Sequence, residues 1–326
     1  MASKIQTKML ELMFGNRDTY ISGQKLSESL GCTRAAVWKQ MEELRQVGYI
    51  FEAKARCGYK LIHAPDLITE NEIKPLLKTK SFGQHLYSYQ TVDSTQIVAN
   101  HLANEGAEEG TVVLAEVQEA GRGRLGRKWH TDHARGIAMS IILRPQVPLQ
   151  KISELTLVIA VTLVRAMEKT VNVHPQIKWP NDIFLNGKKV CGVLTELKGE
   201  ADQLNYILVG IGINVNETEA DFSGGLEEIA TSLFLESGQT VSRAAFIANI
   251  LYEMEEIYPL YLAEGFLPVK KIWEQYSLLN GKKIIGKTPH GLLEGMYKGI
   301  TDEGILLLED ESGMIHEIIT GDVNVK

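Results

Sequence analysis

Apolar residues recur at helical spacing over residues 3–15, with Ile5, Met9, Leu12 and Met13 on one face. A second helix is predicted over 23–30, and Gly31 is suited to end it in a left-handed conformation. Thr33 stands where it can cap a third helix, whose Val37, Met41 and Leu44 repeat at helical spacing until Gly48. Over 49–62 the period falls to two. Phe51, Ala53 and Ala55 share one face and Glu52, Lys54 and Arg56 the other, with a turn near Cys57-Gly58. Residues 64–84 read as a linker with a short helix at 69–77, opened by the capping box Thr69-Glu70-Asn71-Glu72. Strands are then predicted at 86–92, 111–118, 137–144, 176–179, 183–185, 189–197 and 206–215. Helices are expected after Asp93-Ser94-Thr95-Gln96 to about 104, over 153–170 and over 242–264. Asn186-Gly187 is a hairpin signal. The C-terminal stretch breaks into short strands at 284–285, 292–297, 305–309 and 314–319, separated by turn clusters such as Asp302-Glu303-Gly304.

This succession implies an α+β chain of three units: 1–65, 66–273 with a mixed sheet, and 274–326 with a small β-barrel. Three helices and a hairpin at the N-terminus resemble a winged helix-turn-helix. In that motif the second helix of the pair enters the major groove by its N-terminal residues, here Thr33, Arg34, Ala35, Trp38 and Lys39. Arg34 could read a guanine edge, and Arg56 and Lys60 on the wing would reach phosphate or the minor groove. Trp38 has a second reading as a core residue, and the unit has a second reading as a protein-interaction module.

Charge sharpens this picture. The 326 residues carry a formal net charge of -7, which argues against a nucleic-acid binder until the chain is divided. Residues 1–65 hold ten Lys and Arg against six Asp and Glu, so the basic excess is N-terminal and the remainder is acidic. The three cysteines, Cys32, Cys57 and Cys191, form neither a zinc-binding spacing nor a disulfide framework. No apolar signal core opens the chain, and the longest apolar run, 155–164, is short of the roughly 20 residues of a membrane span. A cytoplasmic protein without membrane contact is expected.

Candidate chemistry concentrates in the middle unit. Gly121-Arg122-Gly123-Arg124-Leu125-Gly126-Arg127-Lys128-Trp129 combines backbone freedom with unneutralised positive charge, a loop fitted to an anion, although a solvated turn would read the same way in isolation. Three further patches are polar where strands end: Asp93-Ser94-Thr95-Gln96, Lys178-Trp179-Pro180-Asn181-Asp182, and Lys189 with Cys191-Gly192. They are candidates for one end or face of the same sheet. No Ser-His-Asp or Cys-His set accompanies them, so covalent nucleophilic catalysis is disfavoured. Arg122, Arg124, Lys178 and Lys189, with Asn181 and Asp182 able to serve Mg²⁺, suit phosphoryl or nucleotidyl transfer, and no Walker A sequence is present.

The GRGRLGRKW loop, the Asp-Ser-Thr element before it, the KWPND segment and Lys189-x-x-Gly192 resemble the biotin protein ligases. With the winged helix, the resemblance extends over the whole chain to their bifunctional, repressor form. It implies a biotin/lipoate ligase-like catalytic domain and an SH3-like C-terminal barrel. It also implies a two-step reaction, in which biotin and ATP give biotinyl-5′-AMP and a lysine of a biotin carboxyl carrier domain, of acetyl-CoA or pyruvate carboxylase, then takes the biotin. Carried onto these positions, Ser94, Thr95 and Gln118 would hold the biotin ring, and Gly192 and Gly212 would let backbone approach it. Arg122, Arg124 and Lys189 would serve both biotin binding and catalysis. Gly121, Arg124, Trp129, Lys178, Asn181 and Asn214 would meet ATP. Asp182 would orient or deprotonate the acceptor lysine. Mg²⁺ would come with ATP, with Asp182 as its one candidate ligand rather than a dedicated metal cage. The family also implies operator binding by a homodimer promoted by biotinyl-AMP. Leu125 departs from a further basic residue and Gln96 from Asn, and neither removes a group the mechanism needs. Two other functions fit the same pattern: a non-catalytic biotin-sensing regulator, and a lipoate or octanoyl ligase.

Overall fold

The computed structural model describes residues 4–131, 133–148, 151–200, 203–288 and 291–326. The N-terminal unit consists of α1 (Lys4–Phe14), α2 (Gly23–Leu30) and α3 (Arg34–Gln46), followed by the antiparallel wing β1 (Ile50–Lys54) and β2 (Gly58–His63). Gly31 ends α2 at φ 64, and the Thr33 hydroxyl accepts from Ala36 N at 3.2 Å to start α3. Leu10, Leu26, Val37, Met41 and Leu61 form this unit's own core. The expected alternation in the wing holds for Phe51 alone. Ala53 and Ala55 are exposed, because the wing projects beyond the helices that would cover them.

The expected helix at 69–77 shortens to α4 (Glu70–Ile73) and one 3₁₀ turn around Pro75. Its capping box does not form. Thr69 makes no cap bond and donates instead to Glu72, whose carboxylate also receives the Tyr49 hydroxyl from the winged helix. With Thr7 Oγ1 donating to Asn71 Oδ1 at 2.6 Å, α4 serves as a bracket between units rather than as a free helix.

The central unit begins with β3 (Leu86–Val92), α5 (Thr95–Asn104), β4 (Val112–Gln118), β5 (Ile137–Leu143) and α6 (Ile152–Thr170). It continues through β6 (Gln176–Lys178), β7 (Asp182–Leu185), β8 (Lys188–Glu200) and β9 (Gln203–Ile213). The seven strands lie in the order β3-β4-β5-β9-β8-β7-β6, with β3 parallel to β4 and every other neighbour antiparallel. Strand periodicity assigns the two faces. Val113, Ile142 and Leu208 pack under α5, while Leu114, Ile141 and Val209 join the main core on the side of α6. Behind α6 lie α8 (Arg243–Glu264) and α9 (Leu267–Tyr276), preceded by the short α7 (Leu233–Ser237).

Arg243, at the first position of α8 and 1% exposed, ties this unit to the linker. Its Nε donates to Asp66 Oδ2 at 2.8 Å, one terminal nitrogen donates to Glu116 Oε2 at 2.6 Å, and that nitrogen also reaches Gly136 O at 3.0 Å.

The C-terminal unit is an SH3-like antiparallel sheet. Its strands β10 (Lys283–Thr288), β11 (Gly291–Ile300), β12 (Leu306–Glu309), β13 (Ile315–Ile318) and β14 (Asp322–Val325) lie in the order β13-β12-β11-β10-β14. No helix among the described residues is long and apolar enough to cross a membrane.

Candidate functional site

The Gly/Arg loop follows β4 and folds on itself. Trp129 N donates to Gly121 O at 3.0 Å and Gly123 N to Arg127 O at 2.8 Å, with Leu125 at φ 56 and Gly126 at φ 74 forming the tip. Leu125 is 75% exposed, so most of its apolar side chain is left uncovered. Gly121 permits the loop to close, since a Cβ there would lie 2.4 Å from Trp129 O. Trp129 then lies flat across the sheet. A Cβ on Gly212 would come within 2.3 Å of its indole and one on Gly192 within 3.3 Å, so these two glycines admit the indole in this state.

Under the loop is a cavity of about 100 Å³. Ser94, Thr95, Gln118, Arg122, Arg124, Lys189, Gly192 and Gly212 all line it, although the sequence scatters them over more than a hundred positions. Its floor is hydrogen-bonded. Thr95 N donates to Gln118 Oε1 at 2.9 Å, and Ser140 Oγ donates to Thr95 Oγ1 at 2.8 Å. Lys189 Nζ lies 2.7 Å from Asp182 Oδ1 and 5.6 Å from the Trp129 ring centre. Arg124 donates to Asn181 Oδ1 at 2.7 Å, and Asn181 is itself held by donating to Val193 O at 2.8 Å.

A second cavity, of about 510 Å³, adjoins the first across Trp129, Asp182 and Lys189. Lys178 and Arg127 provide its cationic side, while Phe222, Leu226 and Ile229 make an apolar wall near Asn214. Burial holds the Lys178 ammonium below its ordinary pKa, against the attraction of Asp182 and Asp322. Of the residues expected to meet a nucleotide, Trp129, Lys178 and Asn214 line this cavity, and Arg124 and Asn181 line the smaller one. Gly121 lines neither and acts through the loop's shape. Among the described residues no group of three or more His, Cys, Asp or Glu side chains gathers as a metal cage.

The barrel takes part in this site. Asp322 pairs with Arg127 and lies 3.9 Å from Arg124, Gly321 O accepts from Arg124 at 3.4 Å, and Asn324 accepts from Lys178 Nζ at 2.9 Å. No local pattern marks Asp322. Its partners are nearly two hundred residues away, and only the packing of β14 against the catalytic unit brings them together.

Glu217 also lies outside the expected set. It lines the larger cavity with one buried oxygen unpartnered, and burial pushes its carboxyl up to about 7. The folded chain therefore holds this proton more tightly than the unfolded chain, whose carboxyl has the ordinary value of 4.5. Stability contributed here falls as pH rises from about 4.5 to about 7 and is level above. Glu217→Gln should abolish that fall, which urea midpoints at about pH 5 and about pH 8 would register; a parental slope in the variant would contradict it.

In the winged helix, Thr33, Arg34, Ala35, Trp38 and Lys39 form one exposed surface at the start of α3. Trp38 is 56% exposed, which removes it from the core. Arg56 is exposed at the wing turn, while Lys60 is half-buried on β2. Arg34 is steadied by donating to Gln24 at 3.1 Å.

Comparison with known proteins agrees with this three-part layout. An "HTH domain" profile matches residues 5–60, the "Biotin/lipoate A/B protein ligase family" matches 87–214, and "Biotin protein ligase C terminal domain" matches 280–326. "Bifunctional ligase/repressor BirA" of Bacillus subtilis is 46% identical over 325 residues, covering 100% of both chains. The Escherichia coli protein of the same description is 30% identical over 94% of this chain and 92% of its own. Among solved structures, a biotin protein ligase from Aquifex aeolicus in complex with biotin and ATP superposes with a TM-score of 0.65 at 30% identity, covering 74% of this chain and 99% of that one.

Proposed function

We propose, for a chain that belongs to the biotin protein ligase family in its bifunctional ligase/repressor form, that it joins biotin to ATP and passes the biotin to a carrier lysine. The observation that carries this reading is the convergence of the eight biotin-site candidates on one small cavity beside a larger, cation-lined one. Biotin would sit in the first, its ring against Ser94, Thr95 and Gln118. ATP would sit in the second, its base toward Trp129 and Asn214 and its phosphates toward Lys178 and Arg127.

A carboxylate oxygen of biotin attacks the α-phosphorus, and the bond to pyrophosphate breaks. Arg122, Arg124 and Lys189 offset the negative charge that two anions bring together. A magnesium ion arriving with the nucleotide would add counter-charge, and the carboxylate of Asp182, where the two cavities meet, fits such an ion, which takes one or two carboxylates beside phosphate oxygens. In the second step the neutral lysine amine attacks the acyl carbon, a C–N bond forms, and AMP leaves with the electrons of the C–O bond. Asp182 orients the amine or takes its proton. Incubation with biotin, ATP and a biotin carboxyl carrier domain of acetyl-CoA or pyruvate carboxylase should add one biotin to one lysine and release AMP, as read by mass spectrometry. An unmodified carrier would refute the reading.

The repressor half rests on α3 and the wing, and places the protein's work in the cytoplasm beside its operator. A homodimer promoted by biotinyl-AMP is supported by β8, whose outer edge beyond Val193 has no strand beside it among the described residues. Arg34→Ala should lose about 1–3 kcal/mol at one base pair, whereas Lys39→Ala should weaken all sequences evenly and lower the salt slope by about 1. Fluorescence anisotropy across salt concentrations separates these two, and equal, sequence-independent losses would overturn the assignment.

A further inference from the structure

Strand β14 brings two polar side chains to the cations of the catalytic unit. Gly321 makes the turn into it, with φ at 148 and so close an approach that a Cβ would lie 2.1 Å from Lys287 O. Strand alternation then divides the next three residues. Val323 is buried in the barrel, whereas Asp322 and Asn324 share the opposite face and meet the catalytic unit. Asn324 accepts from Lys178 Nζ at 2.9 Å. Asp322 pairs with Arg127 and lies 3.9 Å from Arg124, which also donates to Gly321 O at 3.4 Å.

Asp322 lines the small cavity together with both arginines. A carboxylate there repels the phosphates that the arginines attract, and bond making gives it no part, since Asp182 already serves the magnesium ion and the acceptor amine. We propose that Asp322 competes with the phosphates for Arg127 and Arg124 and so speeds the departure of pyrophosphate. The inference rests on the ligase reading above. Pyrophosphate forms among the cations that bound it as part of the nucleotide, and while it stays the adenylate can revert. Asp322 weakens that hold. Each guanidinium that pyrophosphate gives up returns to a carboxylate already beside it, so dissociation replaces one charge-assisted contact with another. The side chains of Asp322 and Arg124 are 27% and 23% exposed, so water screens this competition only in part, while the 61% exposure of Arg127 limits its size. Asp322 touches no reacting atom and is a positioning residue that acts through the two arginines.

The test is titration calorimetry of the full chain with magnesium pyrophosphate and, separately, with ATP in the absence of biotin, for the parent, Asp322→Asn and Asp322→Glu. Asp322→Asn removes the charge at constant size and should bind both ligands about fivefold more tightly. Asp322→Glu should bind them as the parent does. In biotin-dependent exchange, Asp322→Asn should also lower KM for pyrophosphate by about the same factor, a change that a purely structural residue would not produce. Parental or weaker pyrophosphate binding by Asp322→Asn would overturn the competition, because a carboxylate that only braced the arginines would cost affinity when removed. Pyrophosphate binding as tight in Asp322→Glu as in Asp322→Asn, or absent from all three chains, would overturn it too. Binding needs no turnover, so a parent that binds pyrophosphate but shows no biotin-dependent exchange would defeat the ligase reading and leave the calorimetric comparison to decide the role of Asp322.

Discussion

Lys189→Met should lower biotin-dependent pyrophosphate exchange by about 10²–10³-fold, the loss that follows removal of one preorganised donor from developing charge. Lys189 meets the requirements of such a donor. Its ammonium is fixed between Asp182 at 2.7 Å and the Trp129 face, over the space that Gly192 leaves open. Methionine keeps most of the stem and loses the charge, and it leaves Asp182 facing the carboxylate of biotin with nothing between them. The expected result is a fall in kcat with the unfolding midpoint held near the parental value. A variant with parental kcat would remove Lys189 from the catalytic groups.

The second large effect concerns stability. Arg243→Met should destabilise the protein by about 3–5 kcal/mol, because Glu116 and Asp66 lose the cation that neutralises them. Glu116 is 3% exposed and cannot turn to solvent. The effect should reach the linker as well, since Asp66 lies between the winged helix and β3 and bonds Arg243 through its side chain and its backbone oxygen. Asp66 also accepts from Asn216 at 3.1 Å, two residues beyond Asn214 at the larger cavity. Urea unfolding followed by circular dichroism would measure the change. A loss below about 1 kcal/mol, the range of exposed pairs, would show that the network is not the buried unit described.

Legibility in the sequence followed the range of the interactions involved. Helices α2 and α3 were readable because their signals are local: Gly31 and Thr33 set the boundary by backbone angle and one hydroxyl. The Gly/Arg loop was readable for the same reason, since its charge and its freedom lie in one stretch. The residues expected around biotin came from four separated patches, and sheet order brought them together. The capping box at Thr69 misled because Tyr49 competes for Glu72 from another unit. Helix α9 was missed, lying in a short segment between the long α8 and the barrel, with Pro268 in its first turn. Asp322, Asn324 and Glu217 had no signature, because each acquires its role from a neighbour far along the chain or from burial by other elements.

The most direct measurement of the central claim is ATP/pyrophosphate exchange by the purified chain with biotin, with lipoate and with neither. Exchange stimulated by biotin alone is the predicted result, and it would establish acyl-adenylate formation at the cavity beneath the Gly/Arg loop. Exchange with lipoate, or tight biotin binding without exchange, would contradict it, and Lys189, Arg122 and Arg124 would then belong to a different ligand or to a sensor.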